Sequence, residues 1–253
     1  MPDAAIFESL SAVEIVWLAI AAFAGSVTAG LSGMGGGMLL AVAVAPVVGI
    51  DALIPVMTVA MFLNHIARVM AFGADAQWET AGKIMLTALP LTVVGATVYS
   101  ALPGDIVAVV IGTFVLVFVP GRRLLGSAAW NVSTPGLLGV GSIFGFVSGT
   151  AIGAGMLIIP VLLGSGLTGA ALIGTDAIIG LAVLIVKGIT FGTLSVLTAQ
   201  LTIFGVAVGL FAMPGVWLAR WIIKRSSVRV HTLFIEAVLL AGGASFVWRG
   251  LTY

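Results

Sequence analysis

Glycine-rich breaks inside otherwise apolar sequence are the first chemically useful feature of this chain. Gly33, Gly35, Gly36 and Gly37 put four glycines in five positions within 29–37, and Gly149, Thr150, Gly153 and Gly155 form a second break within 148–155. Glycine adopts positive φ without penalty and lets backbone N–H groups approach a ligand. Where such a break interrupts a membrane helix, the following half-helix presents unpaired amides and the positive end of its dipole. Those groups can replace the lost hydration of an anion near the bilayer midplane. Close helix packing by small residues is the competing explanation. It covers isolated glycines but not four in five positions. Neither cluster suits a nucleotide phosphate, because no strand leads in and no Lys-Ser/Thr pair follows.

The second feature is a small set of polar groups at membrane depth, each costing ~2.5–3.5 kcal/mol at the centre of a helix. Asn64 and Arg68 share a helix face at i, i+4, with His65 at i, i+3 from Arg68. Together they could bind an anion. Arg68 lies close enough to a segment end to snorkel instead, and His65 could carry protons or simply pack with a hydrogen bond. In the second half, Thr175 and Asp176 sit about a turn and a half into an apolar run. Asp176 is expected to couple proton movement; as alternatives it could neutralise Arg68 or Lys187, or cap a local break. Lys187, at the position related to Arg68, could snorkel too. Pro46, Pro55 and Pro160 should shape breaks, and Gln200 reads as an interface residue.

Several chemistries are excluded. With no cysteine and two histidines, disulfides, thiolate metal sites, cysteine nucleophiles and histidine-rich metal sites are all unexpected. No serine, histidine and carboxylate share helical spacing, so no catalytic residue, metal or cofactor is expected. Ten basic against nine acidic residues, scattered over the chain, offer no stripe for nucleic acid.

The elements that must position these groups follow from composition. Hydrophobic residues make up 61% and charged residues 8%, and mean hydropathy is +1.28, where soluble domains carry roughly 25% charged residues. An all-α, multi-pass membrane protein with lipid as its solvent is the expectation. Long apolar runs occur at 13–33, 52–72, 82–101, 136–153, 170–191, 199–219 and 231–248, and a medium one at 106–119. Two short runs, 38–49 and 156–164, each follow a glycine break and cannot comfortably span ~30 Å of hydrocarbon. The acidic start, with Asp3, Glu8 and Glu14 and no basic residue, is unlike a signal peptide and reads as leading into a retained helix.

The pattern repeats. Gly35, Gly37, Met38 and Leu39 match Gly153, Gly155, Met156 and Leu157; one inserted residue later, 52–54 matches 171–173, Arg68 falls opposite Lys187, and 72–73 falls opposite 191–192. A duplication is expected, with a first membrane repeat at 1–120, a cytoplasmic linker at 121–135 and a second repeat at 136–253, each of about five helical elements. Basic residues enrich cytoplasmic loops, which puts Arg122, Arg123, Arg220, Lys224, Arg225 and Arg229 inside. The N-terminus then lies outside. Either all ten elements cross, or each short element folds back on its predecessor as a re-entrant hairpin. Both counts are odd per half, so the repeats should be inverted.

These motifs resemble a known family. Gly33-Met34-Gly35-Gly36-Gly37-Met38-Leu39, the segment from Gly149 through Met156 to Pro160, and Ala171-Leu172-Ile173-Gly174-Thr175-Asp176 are similar to the sulfite exporter TauE/SafE family of transmembrane sulfur-compound transporters. The resemblance implies proton-driven export of sulfite, organosulfonates or related sulfur oxyanions across a bacterial or archaeal plasma membrane, with membrane lipid and protons as the other partners. Ala151 and Ala154 replace glycines of the fuller run, and Pro46 stands where an earlier proline would be, which leaves the exact substrate open. An anion channel, or a membrane-embedded enzyme subunit, is the alternative. Oligomeric state is not legible.

Overall fold

The apolar runs fold into helices. A computed structural model describes residues 10–32, 35–103 and 133–223, with scattered positions between 106 and 117 and at 244 and 248, and no strand occurs among them. Gly33, most of the run at 106–119, the linker up to residue 132 and nearly all of 231–248 lie outside the described residues.

α1 spans Ala12–Ser32. Its start is a reciprocal cap: the Glu14 amide donates to Ser11 Oγ at 3.3 Å and the Ser11 amide to Glu14 Oε2 at 2.8 Å. α2 spans Gly36–Phe72 and is broken at Gly49, whose φ of 77° and ψ of 170° suit glycine alone. Its parts, 36–48 (α2a) and 50–72 (α2b), correspond to the short and long runs expected from sequence. A short turn at Gly73–Asp75 leads to α3, Trp78–Ser100. α4 spans Thr134–Thr150 and starts inside the expected linker, because Ser133 and Pro135 supply an extended N-cap and a helix-starting proline. α5 (Gly155–Gly164), α6 (Gly169–Thr193) and α7 (Ala199–Ile223) follow.

Five of these helices, α1, α2, α3, α6 and α7, are long and apolar enough to cross a bilayer. At ~1.5 Å per residue, α2a is ~20 Å long and α5 ~15 Å, so neither spans alone. Outward faces are apolar, as lipid demands: Leu86 and Ile189 are 70% and 63% exposed.

Glycines set the helix pairings. Gly141, Gly145 and Gly149 of α4 abut Ile84, Ala88 and Thr92 of α3 in the same order, so the two run parallel, and a Cβ on Gly145 would collide with the Ala88 carbonyl. Thr87 Oγ1 crosses the same interface to donate to the Leu138 carbonyl at 2.7 Å. α7 runs parallel to α1 through Gly215 against Phe23–Val27, and parallel to α2b through Gly205 and Gly209 against Val56–Leu63. α1 and α2b therefore share a direction, and α2a carries the chain back between them. α6 runs antiparallel to α2b: Gly174 meets Phe72 and Gly180 meets His65. α1 thus pairs with α7 and α4 with α3, around a central α2b and α6.

Candidate functional site

The antiparallel crossing of α2b and α6 leaves a cavity of about 130 Å³. A water needs only ~10–15 Å³ on this measure, so a small oxyanion fits with water to spare. On α2b the lining positions include Met57, Met61, Asn64, His65 and Arg68; on α6 they are Asp176, Gly180, Val183, Leu184 and Lys187. Each α6 position lies 119 residues after one of these α2b positions, as 187 minus 68 shows. The spacing i, i+4, i+7, i+8, i+11 keeps each set on one helical face.

Both glycine breaks open into the same cavity, which Gly35, Gly36 and Gly37 line from one side and Gly153, Ala154 and Gly155 from the other. Gly35 has φ 82° and Gly153 φ 90°, at matching positions of the repeat, and both are left-handed turns that start a short helix. Neither α2 nor α5 has a side-chain cap. Leu39 N, bonded to the Gly35 carbonyl at 2.9 Å, makes the first ladder bond of α2, so the Gly36, Gly37 and Met38 amides have no intrahelical acceptor. Two helix N-termini with unpaired amides thus converge on one volume, an arrangement that attracts negative charge.

The side chains add charge. Arg68 is 2% exposed, and its Nη2 donates to Asp176 Oδ2 at 2.6 Å. His65 Nδ1 lies 2.9 Å from the Met61 carbonyl. A carbonyl only accepts, so Nδ1 holds the proton and Nε2, 3.5 Å from Arg68 Nη1, is the acceptor facing the guanidinium. The ring is neutral in this arrangement. Asn64, fully buried, donates through Nδ2 to Ser26 Oγ at 2.6 Å. Lys187, 3% exposed, donates through Nζ to the Ser148 carbonyl at 2.7 Å and the Ala151 carbonyl at 3.5 Å. It caps the C-terminal end of α4, where the dipole favours a cation. Arg68 Nε and Asn64 Oδ1 are buried without partners; the first is a donor that an anion can complete, whereas the second only accepts.

The sequence-derived residues sort as follows. Gly35, Gly36, Gly37, Asn64, His65, Arg68, Gly153, Gly155 and Asp176 come together around the cavity. Gly149 instead packs on the α3 backbone beside Thr92 and Ala96. The Thr150 hydroxyl bonds back to Phe146 and Val147 within α4. Thr175 accepts the Gln77 amide at 2.9 Å and donates to Ala171 at 2.7 Å, a contact that fastens the α2–α3 turn to α6. Gly36 also packs: a Cβ there would strike the Gly25 carbonyl of α1. Arg68 and Lys187 do not take the alternative of snorkelling, because each finds hydrogen-bond acceptors inside the bundle. Met57, Met61, Gly180, Val183 and Leu184 also line the cavity; the repeat offset, applied to Asn64, His65 and Asp176, would have found Val183, Leu184 and Met57 and missed Met61 and Gly180. Ser26 was visible only through the fold.

A family model described as "Sulfite exporter TauE/SafE" matches residues 17–246 of the chain. No curated protein and no solved structure matches it.

Proposed function

The chain belongs to the sulfite exporter TauE/SafE family, and from that premise we propose that it is a secondary transporter exporting small sulfur-containing anions, coupled to protons, across a bacterial or archaeal plasma membrane. The observation that carries this reading is the convergence of both glycine breaks and the buried cations Arg68 and Lys187 on one cavity. In the proposed site the anion takes hydrogen bonds from the amides after Gly35 and Gly153 and from Asn64, and charge from Arg68 and Lys187.

Inverted repeats, divided as 1–120 and 136–253, are part of the proposal. The antiparallel run of α2b against α6, together with the matched lining positions, supports them. An inverted pair with a site at its interface gives alternating access by rocking one half against the other. The same helix directions put the turn at 73–77 and the end of α7 on one face, which the basic residues from Arg220 onward mark as cytoplasmic.

Coupling is assigned to Asp176. A proton taken up there weakens its pairing with Arg68 and frees Nη2 for the anion; an anion arriving at Arg68 in turn favours the protonated acid. Each ligand thus raises the affinity of the other, as reciprocity requires.

The test is flux in proteoliposomes. Sulfite transport should saturate and should accumulate against a gradient when a pH difference is imposed. Asp176→Asn should retain anion-for-anion exchange and lose pH-driven accumulation. Uphill transport at the normal rate in that variant would remove Asp176 from coupling, and unsaturable downhill flux would favour a channel.

A further inference from the structure

The two halves match in backbone but not in charge, and the mismatch sits at one position of the repeat. Asp176 stands opposite Arg68 and pairs with it at 2.6 Å. The residue 119 positions earlier, where the duplication would put a carboxylate facing Lys187, is Met57, also on the cavity wall. Among the described residues no carboxylate lies within ion-pair distance of Lys187; its contacts are the Ser148 and Ala151 carbonyls and the Phe191 ring, 5.4 Å from Nζ. His65 is neutral as hydrogen-bonded. Among the described residues, the titratable groups lining the cavity are Arg68, Lys187, Asp176 and His65; with the first three ionised, two positive charges against one negative leave one positive.

We propose that Asp176 sets the charge of the cargo: with Arg68 paired, the cavity selects a singly charged oxyanion over a doubly charged one, and Lys187 provides the uncompensated charge that draws it in. The inference rests on the anion site proposed above. A second negative charge placed here would face Asp176 inside the bundle with no further cation among the described lining residues to meet it, and like charges at such range are unfavourable. The buried, unpartnered Arg68 Nε and the helix amides after Gly35 and Gly153 can give the bound oxyanion charged and neutral hydrogen bonds while the pair holds. When Asp176 is protonated, the cavity gains one charge and admits a dianion. Cargo plus proton then carries a net single negative charge in either case.

Two probes whose charges stay fixed around neutral pH separate the outcomes: methanesulfonate, a monoanion, and sulfate, a dianion. Binding is measured by titration calorimetry on purified protein in detergent. Wild type should prefer methanesulfonate by about tenfold or more. Asp176→Asn, which keeps an acceptor oxygen for Arg68 while removing the negative charge, should raise sulfate affinity enough to erase or invert that preference. Met57→Asp, which adds the missing carboxylate beside Lys187, should weaken both probes by about tenfold or more; it leaves the Arg68 pair intact and so covers the case of a poorly folding Asp176→Asn. Binding of both probes by wild type with sulfate preferred, or an unchanged ratio in folded Asp176→Asn, overturns charge selection but leaves the anion site standing. Saturable binding of neither probe to folded wild type overturns the site itself.

Discussion

The Arg68–Asp176 pair can be weighed by breaking it from each side. The two side chains are 3% and 5% exposed and meet at 2.6 Å, so solvent screens them little. Asp176→Leu leaves Arg68 with a 3.5 Å contact to His65 and an Nε that already lacks a partner. Arg68→Met strips the Asp176 carboxylate of the one hydrogen bond described for it. Losing one member of a buried pair costs about 3–5 kcal/mol, and the adjoining cavity, which lets water reach the orphan, puts the expectation at the lower end. For a chain of this size ~1 kcal/mol shifts Tm by about 2–4 °C, so each single substitution should lower Tm by roughly 6–20 °C. The double substitution should be the more stable protein, since two apolar side chains of similar volume relieve both desolvation penalties. The assay is thermal unfolding of the three variants and wild type in one detergent at fixed concentration. A double variant at or below the less stable single, or singles indistinguishable from wild type, would refute a buried, mutually dependent pair.

Two further predictions test the site wall and the topology. A Cβ on Gly180 would overlap His65 Nε2, whereas one on Gly188, two turns along the same helix, meets nothing within 4 Å. Gly180→Ala should therefore lower Tm by roughly 2–12 °C, from ~1–3 kcal/mol of overpacking, and weaken anion binding, while Gly188→Ala should do neither; equal behaviour of the two in the same melting and titration experiments would show that His65 is not held as described. Because the chain has no native cysteine, Asp51→Cys and Asp75→Cys, both at exposed helix ends, can be labelled singly in intact cells. A membrane-impermeant maleimide should reach position 51 and not position 75; the opposite pattern would invert the orientation.

Helices were legible because lipid imposes a simple rule: a run of apolar residues with no charge must satisfy its own backbone, and only a helix does so. The run at 13–33 became α1, that at 82–101 became the greater part of α3, and the shorter runs after the glycines became α2a and α5. What periodicity could not supply was the pairing of helices. An apolar helix in lipid shows no polar face to mark its outside, so the parallel contacts of α3 with α4 and of α1 with α7 depend on where small residues let backbones touch. Gly145 against the Ala88 carbonyl and Gly215 against Phe23 are indistinguishable in sequence from Gly188, which touches nothing. Gly36 shows how the two uses of glycine overlap, since it both lines the cavity and seats α2a on α1.

Legibility of the site divides along the same line. Its backbone half was readable, because a left-handed turn before a half-helix leaves glycine as its trace, and Gly35 and Gly153 carry it in both repeats. Its side-chain half was readable only where the residue was anomalous for lipid. Arg68, Asp176, His65 and Asn64 stood out because each is costly there, whereas Met57, Val183 and Leu184 are ordinary membrane residues and gave no signal of their own. Lys187 stood out but its role stayed open between snorkelling and pairing with Asp176, since distance along the helix from a segment end says nothing of the carbonyls of Ser148 and Ala151 that another helix brings to it. On the proposed duplication the split has a physical reason: a backbone device is copied intact, because its geometry has few sequence solutions, while the facing side chains are free to diverge. Asn64 against Val183, His65 against Leu184 and Met57 against Asp176 are the result: a site symmetric in its amides and asymmetric in its charges, so that substrate grip can come from what the halves share and charge selection from what they do not.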